Sequence, residues 1–312
     1  PRFDYYQRPW SRLYEHELVG DRRRKRILCC TNFVTAKYWT LPKEEGDKFY
    51  AAWVGRIPAH NDYWAAIESH YNNRARLLKS MDLLLSRTDH DLVIRAHPNE
   101  DWAPYRKWYA ALNPAVRSRV TLDLGTSVIT QILACDLEIS CETCTTAIEA
   151  WVAGKPTIEM VFDRRPIWHD PDHEAANVAC EEPEQLPIMV EKELSGFDPA
   201  NPPGLRIQHL KKWCDHTVGN ASVRVASSLS RALASVPEPD FSQLAASDYR
   251  RAAKLKLLRS FGLPYHYDPL LWFKVRVAPR RYMAKSMAYA KSIRPGDVGA
   301  ITQQISNAAE CA

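Results

Sequence analysis

The sequence predicts an α/β protein with a parallel β-sheet that is covered by helices on both faces. Three segments support this prediction, because in each an apolar strand pattern passes through a polar turn into a helical pattern. They are residues 91–100, 119–134 and 135–158. Successive units of this kind form parallel sheets whose strand tips and helix N-termini open on one edge. The order of the strands within the sheet does not follow from the pattern.

The first strand is predicted before these units, at residues 26–30 (RILCC). Its residues are apolar and are followed by Thr31, Asn32 and Phe33, so the polar side chain of Asn32 is expected at the carboxyl tip of the strand. Residues 63–87 then show a helical pattern of apolar positions. We expect this long helix to cross back over the sheet to the second strand.

The second strand, in DLVIRAHPNE, runs directly into Arg95, His97 and Glu100. Open α/β sheets bind ligands at the carboxyl ends of their strands, so these polar residues are candidate ligand contacts. Pro98 holds the preceding His97 in an extended conformation and keeps its imidazole at the strand tip. There the ring could donate a hydrogen bond to a phosphate or stabilise a leaving group.

The third unit begins with the alternating strand pattern RVTLDL at residues 119–124, and Thr126 or Ser127 is expected to cap the helix that follows. The most informative segment comes next, at residues 135–158, and reads as strand, turn, short helix and strand. Its helix is predicted over residues 146–153, with Thr146 and Glu149 spaced as a capping box. Free N–H groups at such a helix start favour a phosphate or carboxylate. The hydroxyls of Thr143, Thr145 and Thr146 could add donors.

Simpler interpretations remain open for these residues. Glu149 and the threonines can serve as helix caps and nothing more. Cys141 and Cys144 form an isolated CxxC, which suits a redox pair or half of a zinc site less well than two buried, inert thiols. Residues 163–173 (DRRPIWHDPDH) contain His and Asp side chains that could hold a divalent metal, but Pro171 opposes the regular helix that would align the histidines, and a solvated loop is favoured.

The C-terminal part of the chain is predicted to be helical and basic. Residues 211–236 read as two helical segments, and prolines at 237–239 mark a linker. Residues 249–295 then carry twelve Lys and Arg residues against a single acid, Asp268, and aromatic and aliphatic residues lie among them. Such a mixture suits an anionic membrane surface. A solvated basic face or a subunit contact explains it equally well, whereas nucleic-acid binding is disfavoured because no recognition motif appears.

Composition is that of a globular chain, with 312 residues, 46% hydrophobic and 25% charged residues and a formal net charge of +5. No run of eighteen apolar residues is present, so the sequence predicts no transmembrane helix. The eight cysteines follow no disulfide framework, which fits a reducing cytoplasm. We therefore expect a cytoplasmic protein that can lie peripherally on the inner membrane.

The motifs TNF, IRAHPNE and CTTAIEAWVAGKPTI, within about residues 1–158, resemble those of bacterial surface carbohydrate biosynthesis proteins. They are more distantly similar to the nucleotide-binding half of GT-B glycosyltransferases, and similar motifs occur in bacterial sialyltransferases, Kdo transferases and teichoic-acid glycerophosphotransferases. The resemblance implies a Rossmann-like domain of the GT-B C-terminal type. The chain departs from the family pattern at Ala96, where a proline is usual, and across residues 140–142, where a His or Asn is common.

Carried over by position, the resemblance makes His97 the catalytic residue that contacts the donor phosphate and leaving group, with Arg95 beside it. It makes Thr145 and Thr146 phosphate or nucleotide contacts and Glu149 a candidate for nucleotide hydroxyls. The strand-tip and helix-start residues complete the predicted donor site. That site comprises Asn32, Arg95, His97, Glu100, Ser127, Thr143, Thr145, Thr146 and Glu149, and needs neither a metal nor another cofactor.

The sequence therefore predicts the donor-binding half of a glycosyltransferase in bacterial capsule or lipopolysaccharide synthesis. A CMP-linked sugar is the expected donor and a glycan or lipid-linked molecule the expected acceptor. Residues 1–25 are predicted to be a linker segment, 26–236 the donor domain and 237–312 a basic extension. PRFD at the start resembles a linker between two halves, so an N-terminal acceptor domain is expected to be missing. A CDP-polyol phosphotransferase and a non-catalytic scaffold that retains the fold are the alternatives.

Overall fold

A computed structural model of the protein describes residues 2–7, 11, 14, 23–123, 125–199, 202–214, 220–236, 242, 244–261, 263, 268–278, 302–303 and 306. The chain divides into two compact units, Pro1–Val225 and Ala226–Ala312. The first unit contains all the described strands. The division of the chain at residues 25 and 236 stays a prediction.

The first unit is built on a six-stranded parallel sheet, as the sequence predicts. Its strands lie in the order β3-β2-β1-β4-β5-β6. The central strand β1 pairs with β2 on one side and with β4 on the other, so that Cys29 is in register with both Ile94 and Ile139. The strands are β1 (Arg26–Cys30), β2 (Asp91–Arg95), β3 (Val120–Leu122), β4 (Leu137–Cys141), β5 (Thr157–Met160) and β6 (Val178–Cys180).

Helices connect the strands and cover the sheet. In the first unit they are α1 (Lys43–Tyr50), α2 (Tyr63–Arg87), α3 (Ala103–Ala111), α4 (Pro114–Arg117), α5 (Val128–Ala134), α6 (Thr145–Val152), α7 (Pro171–Ala175), α8 (Leu186–Gly196) and α9 (Gly204–Cys214). Short 3₁₀ helices lie at Arg2–Tyr6, Ala36–Trp39, Pro58–His60 and Pro183–Gln185. The predicted crossover helix at 63–87 is confirmed as α2, and the predicted first strand is confirmed as β1.

Two apolar clusters cover opposite faces of the sheet, because successive residues of a strand point to opposite sides. On one face Ile27 and Cys29 of β1 pack with residues of α2, α3 and α8. On the other face Leu28 and Cys30 pack with residues of α5 and α6 and with Tyr6. All four β1 side chains are almost fully buried. The continuous apolar sequence RILCC is thus explained by a strand that has a core on each side.

The N-terminal segment predicted as a linker has structure of its own in the described residues. The 3₁₀ helix Arg2–Tyr6 buries Tyr6 against α5 and α6. The buried carboxylate of Asp4 accepts hydrogen bonds from the backbone N–H groups of Ala221 and Ser222, at 3.1 and 2.7 Å. These contacts tie the segment to the start of a further helix, α10 (Ala221–Ser235).

Beyond α10, the structure describes two further helices, α11 (Ala246–Ser260) and α12 (Leu271–Val277). No residue of α11 is buried, and its basic residues are exposed. Part of the predicted basic tail, residues 279–295, lies outside the described residues. None of the described helices combines the length and the apolar character that crossing a bilayer requires.

Candidate functional site

The strand order reverses direction at β1, and this reversal places a cleft at the carboxyl edge of the sheet. The chain moves outwards from β1 to β2 and β3 and then returns to β4 on the other side of β1. Because the connections on the two sides leave the edge in opposite directions, a crevice opens between the strand tips at such a point. A cleft of about 270 Å³ is found there. It is lined by Cys30, Thr31, Arg95, Ala96, His97, Pro98, Val128, Cys144, Thr145 and Thr146.

Arg95 enters the cleft from the end of β2 and is held by an ion pair. Its Nη1 lies 2.6 Å from Oδ2 of Asp123, which follows β3. Burial raises the pKa of Asp123, but hydrogen bonds from Thr126 and Gly125 and the charge of Arg95 outweigh it and leave the pKa below its usual value. The carboxylate therefore stays ionised and fixes the guanidinium, while it also offsets part of the positive charge in the cleft.

His97 is half-buried in the cleft, and its ring is oriented by the backbone. Its Nδ1 accepts a hydrogen bond of 3.2 Å from the N–H of Asn99. In the neutral ring this leaves the proton on Nε2. Burial lowers the pKa of His97, and the nearby charge of Glu100 only partly opposes this shift. The ring is therefore a neutral hydrogen-bond donor at neutral pH, as a phosphate contact would require.

Glu100 lies beneath the cleft. Its Oε1 accepts hydrogen bonds from the Thr31 hydroxyl at 2.6 Å and from the His97 N–H at 3.2 Å. Its Oε2 accepts from the Tyr105 hydroxyl at 2.6 Å. The carboxylate is 6% exposed and both its oxygens have protein partners. In this structure Glu100 holds the tips of β1 and β2 together instead of facing the cleft, and a direct contact with the donor stays a prediction.

The N-terminus of α6 closes the cleft on the side of β4. Its N-cap residue is Cys144, whose side chain provides no capping hydrogen bond. By contrast, the Oγ of Ser127 caps α5 and accepts from the N–H of Ile129 at 3.3 Å. The first turn of α6 is therefore without a side-chain oxygen cap. The N–H of Ala147 donates to the carbonyl of Cys144 at 3.2 Å, whereas Thr145 and Thr146 line the cleft and bring their N–H groups and the helix dipole to it. Ser127 acts as the predicted cap, and it is not among the described residues that line the cleft.

The predicted capping box is wrong. The helix starts at Thr145, so Thr146 already lies within its first turn. The Thr146 hydroxyl donates to Oε1 of Glu138 at 2.8 Å. Burial raises the pKa of Glu138 well above its usual value, so this fully buried acid is neutral. The Thr146 hydroxyl already donates its one proton to Glu138 and is therefore a poor donor to a ligand. The hydroxyl of Thr145, which is exposed, remains available.

Glu149 lies one helical turn beyond Thr145 and is not among the described residues that line the cleft. The Tyr6 hydroxyl donates to its Oε2, and the side chain is 1% exposed. Sequence spacing suggested a helix cap for this residue, and the resemblance implied a contact with nucleotide hydroxyls, which stays a prediction. The structure instead uses it to attach the N-terminal 3₁₀ helix, a partner that lies 143 positions away in the sequence and could not be recognised from local spacing.

Asn32 and Thr143 also lie outside the cleft lining. Asn32 Nδ2 donates to the carbonyl of Glu142 at 3.4 Å and thereby links the tips of β1 and β4. The N–H of Thr143 donates to Oε1 of Glu159 at 2.8 Å, and its hydroxyl accepts from the N–H of Asp170 at 3.2 Å. Both Glu142 and Thr143 have positive φ angles, 56° and 51°. Such a conformation is unusual for a β-branched residue and marks a constrained turn before α6.

The structure describes the surroundings of Cys141 and Cys144 and of residues 163–173. Cys141 and Cys144 are buried, and burial raises both thiol pKa values, that of Cys144 to about 12. They are inert thiols, as favoured. The solvated loop favoured for residues 163–173 is only partly observed, because Pro171–Ala175 form α7 and His173 is buried. His169 Nε2 lies 2.7 Å from Glu174, and Asp172 pairs with Lys212. No group of three or more His, Cys, Asp or Glu suited to a metal ion occurs in the described part of the chain.

No model of a known protein family matches the chain, and no curated protein matches it either. Among solved structures, it is similar to a variant of the wall teichoic acid polymerase TagF, with 14% identity and a TM-score of 0.43, over 74% of this chain and 50% of that one. It is also similar to the glycosyltransferase VinC in complex with DTDP, with 13% identity and a TM-score of 0.37, over 68% and 44%.

A third similar structure is the spinosyn rhamnosyltransferase SpnG complexed with spinosyn aglycone. Its identity is 12% and its TM-score 0.30, over 70% of this chain and 45% of that one. The chain thus spans about half the length of the solved structures that it matches. Because one fold can host many chemistries, the site has to be judged on its own residues.

We predict that His97 titrates below the ordinary histidine pKa of about 6.5 and carries its proton on Nε2 when neutral. Glu100→Gln should lower the pKa of His97 further, because the negative charge opposes the effect of burial. Since the unfolded chain binds this proton more readily than the folded one, protonation of His97 lowers the free energy of unfolding as the pH falls below about 6.5. Two-dimensional ¹H–¹⁵N correlation of the histidine rings against pH measures both the tautomer and the midpoint.

Asp101→Asn is the matched control for that titration. Asp101 is exposed and adjacent in sequence, and its carboxylate accepts from the N–H of Ala103 at 3.0 Å. Its neutralisation should leave the His97 midpoint unchanged. A proton on Nδ1, or a midpoint above the ordinary value, would contradict the hydrogen bond from Asn99 and the burial of the ring.

Proposed function

We propose that this chain is the donor-binding half of a glycosyltransferase that builds a bacterial surface polysaccharide from a CMP-activated sugar. One observation carries the proposal: at the point where the strand order reverses, a cleft of about 270 Å³ is bounded by a helix N-terminus without an oxygen cap and by Arg95 and His97. Backbone N–H groups, a guanidinium and a neutral imidazole N–H are the donors that an anionic phosphate requires.

In the proposed reaction an acceptor hydroxyl attacks the anomeric carbon of the donor sugar. The bond between that carbon and the phosphate oxygen breaks, and its electron pair leaves with CMP. The N–H groups of Thr145 and Thr146, the Arg95 guanidinium and Nε2–H of His97 stabilise the charge on the departing phosphate. The hydroxyl proton passes to a base on the acceptor side of the cleft, which is the expected contribution of an N-terminal acceptor domain.

The direct test is calorimetric titration of the chain with CMP, CDP, UDP, GDP and ADP. We expect a cytidine nucleotide to bind best. His97→Ala should weaken that binding about tenfold or more, because a hydrogen bond to a charged group contributes about 1.5–3 kcal/mol. Preference for CMP supports a CMP-sugar, whereas preference for CDP supports transfer of a polyol phosphate.

His90→Ala is the matched control for that titration. His90 immediately precedes β2, at the opposite edge of the sheet from His97, and its Nε2 lies 2.8 Å from Glu191. Its loss should leave nucleotide affinity unchanged. Absence of binding by every nucleotide, or equal loss in both variants, would refute the assignment of the cleft and leave the non-catalytic scaffold as the better account.

We further propose that the protein works in the cytoplasm against the anionic inner membrane, where a lipid-linked acceptor would lie. Support comes from α11, whose five basic residues are all exposed. They are Arg250, Arg251, Lys254, Lys256 and Arg259. Each basic residue near an anionic surface contributes about 1 kcal/mol.

Vesicle flotation tests this location. The chain should float with vesicles that contain phosphatidylglycerol but not with neutral phosphatidylcholine vesicles, and added salt should release it. Replacing Lys254 and Lys256 together by alanine should weaken binding about thirtyfold, at about 1 kcal/mol for each charge. Equal recovery with neutral and anionic vesicles would argue for the solvated face or the subunit contact.

A further inference from the structure

The buried face of α2 changes character along the helix. Towards its C-terminus, Leu77, Met81 and Leu84 pack into the apolar core. In the turns before these, after the buried apolar residues Ala66 and Ile67, four buried residues are polar: Ser69, His70, Asn73 and Arg74. Burying polar groups is costly unless they find partners, so each of these four side chains needs an explanation.

This polar segment of α2, residues 69–74, lies beside the loop that follows β1, at the carboxyl edge of the sheet. The ring of His70 contacts Phe33, with 5.7 Å between ring centroids. Its Nδ1 lies 2.7 Å from the Thr35 hydroxyl. Thr31, at the start of the same loop, lines the cleft described above. Different residues of one loop therefore contact the polar segment of α2 and line the cleft.

Ser69 and Asn73 have partners within the protein. The Ser69 hydroxyl donates to Oδ2 of Asp163, and Asn73 Nδ2 lies 2.9 Å from the same oxygen. Asn73 Nδ2 also lies 3.1 Å from Oε1 of Glu142. Burial and the charge of Asp163 raise the pKa of Glu142 well above its usual value, so Glu142 is neutral. The carboxyl group of Asp163 is thus already engaged by hydrogen-bond donors.

Arg74 has no such partner. The residue is 5% exposed, and its Nη1 is buried without a hydrogen bond. Among the described residues it forms no ion pair, and its recorded neighbour is the ring of Tyr71, 5.8 Å from the guanidinium carbon. A buried charge without a counter-ion costs several kcal/mol. A guanidinium is the side chain best suited to bind an oxyanion through two parallel hydrogen bonds.

Two further polar atoms near Arg74 lack partners. Nε2 of His70 is buried without a hydrogen bond, and burial lowers the pKa of this histidine to about 3, so the ring is neutral. Trp168 stacks on His70, with ring centroids 4.0 Å apart, and its Nε1 is also buried without a hydrogen bond. His70 and Arg74 are four residues apart and share one face of α2. The imidazole of His70 thus lies one helical turn from the guanidinium of Arg74, and the indole of Trp168 stacks on that imidazole.

We propose that Arg74, together with His70 and Trp168, forms a second anion-binding site that takes the phosphate or carboxylate group of a ligand. His70 contacts the β1 loop at Phe33 and Thr35, whereas the cleft is lined by Thr31, and the site does not depend on nucleotide binding in the cleft. A bound oxyanion would supply the counter-charge that Arg74 lacks and an acceptor for Nε1 of Trp168. The arginine is thereby explained as a residue kept for binding at the expense of the stability of the free protein.

The test replaces Arg74 by methionine, which has similar length and no charge. In buffer without phosphate or carboxylate, thermal unfolding of Arg74→Met should have a higher midpoint than the wild type, because a buried unpaired charge is removed. Sodium phosphate or sodium acetate, compared with sodium chloride at equal ionic strength, should raise the wild-type midpoint, and this rise should be smaller in Arg74→Met, which keeps only the response of the cleft at α6. Calorimetry should show affinity for the preferred anion at least about tenfold weaker in the variant.

Arg76→Met is the matched control. Arg76 lies on the same helix, but its Nη1 donates to the carbonyl of Phe162 at 3.0 Å and its guanidinium carbon lies 4.7 Å from the Phe162 ring. Its replacement should lower the midpoint without anion and leave the anion response intact. Arg74→Lys, which keeps the charge but loses the planar fork, should fold and retain a weakened response.

A larger response to phosphate than to acetate would identify a phosphate ester as the ligand group, and the reverse would identify a carboxylate. The proposal is overturned if Arg74→Met has a lower midpoint than the wild type without anion or fails to fold, since the arginine would then be structural. It is equally overturned if the wild type shows no response to either anion, or if Arg74→Met responds as the wild type does.

Discussion

The position of β1 between β2 and β4 is the constraint on which the rest of the structure depends. Because the strand order reverses there, the tips of β1 and β2 and the N-terminus of α6 line one cleft at the sheet edge. β1 can occupy this position because both of its faces are apolar, with Leu28 and Cys29 packed into different clusters. That placement produces the cleft and brings three things to it: the helix dipole of α6, the cationic guanidinium of Arg95 and the neutral imidazole of His97.

A layer of buried polar residues then sets the exact direction of α6. Glu138, on β4, accepts from the Thr146 hydroxyl, and Glu159, on β5, accepts from the Ser140 hydroxyl at 2.5 Å and from the N–H of Thr143. An apolar layer would hold the helix against the sheet as firmly, since buried polar groups contribute little net stability. What hydrogen bonds add is direction, because they have narrow geometric requirements. We infer that this layer positions the first turn of α6 at the cleft.

Sequence reasoning succeeded where the signal was local and periodic. The continuous apolar run at β1 and the long 3.6-residue pattern of α2 were predicted with their observed bounds. It failed where long-range partners decide a residue's role: Glu149 has the spacing of a capping box yet binds Tyr6, and Thr146 donates to a strand residue. The three-residue strand β6 and the strand order carry no local pattern at all. The lack of an ion pair at Arg74 among the described residues could not be predicted either, because the position of an arginine in a helical pattern does not show whether a counter-ion lies beside it.

The central claim is that the cleft beside β1 holds the phosphate of a nucleotide at the start of α6. A crystal structure of the chain soaked with CDP would test it most directly. We expect phosphate oxygens within hydrogen-bonding distance of the N–H groups of Thr145 and Thr146 and of Nε2 of His97. Nucleotide bound at another edge of the sheet, with this cleft empty, would contradict it.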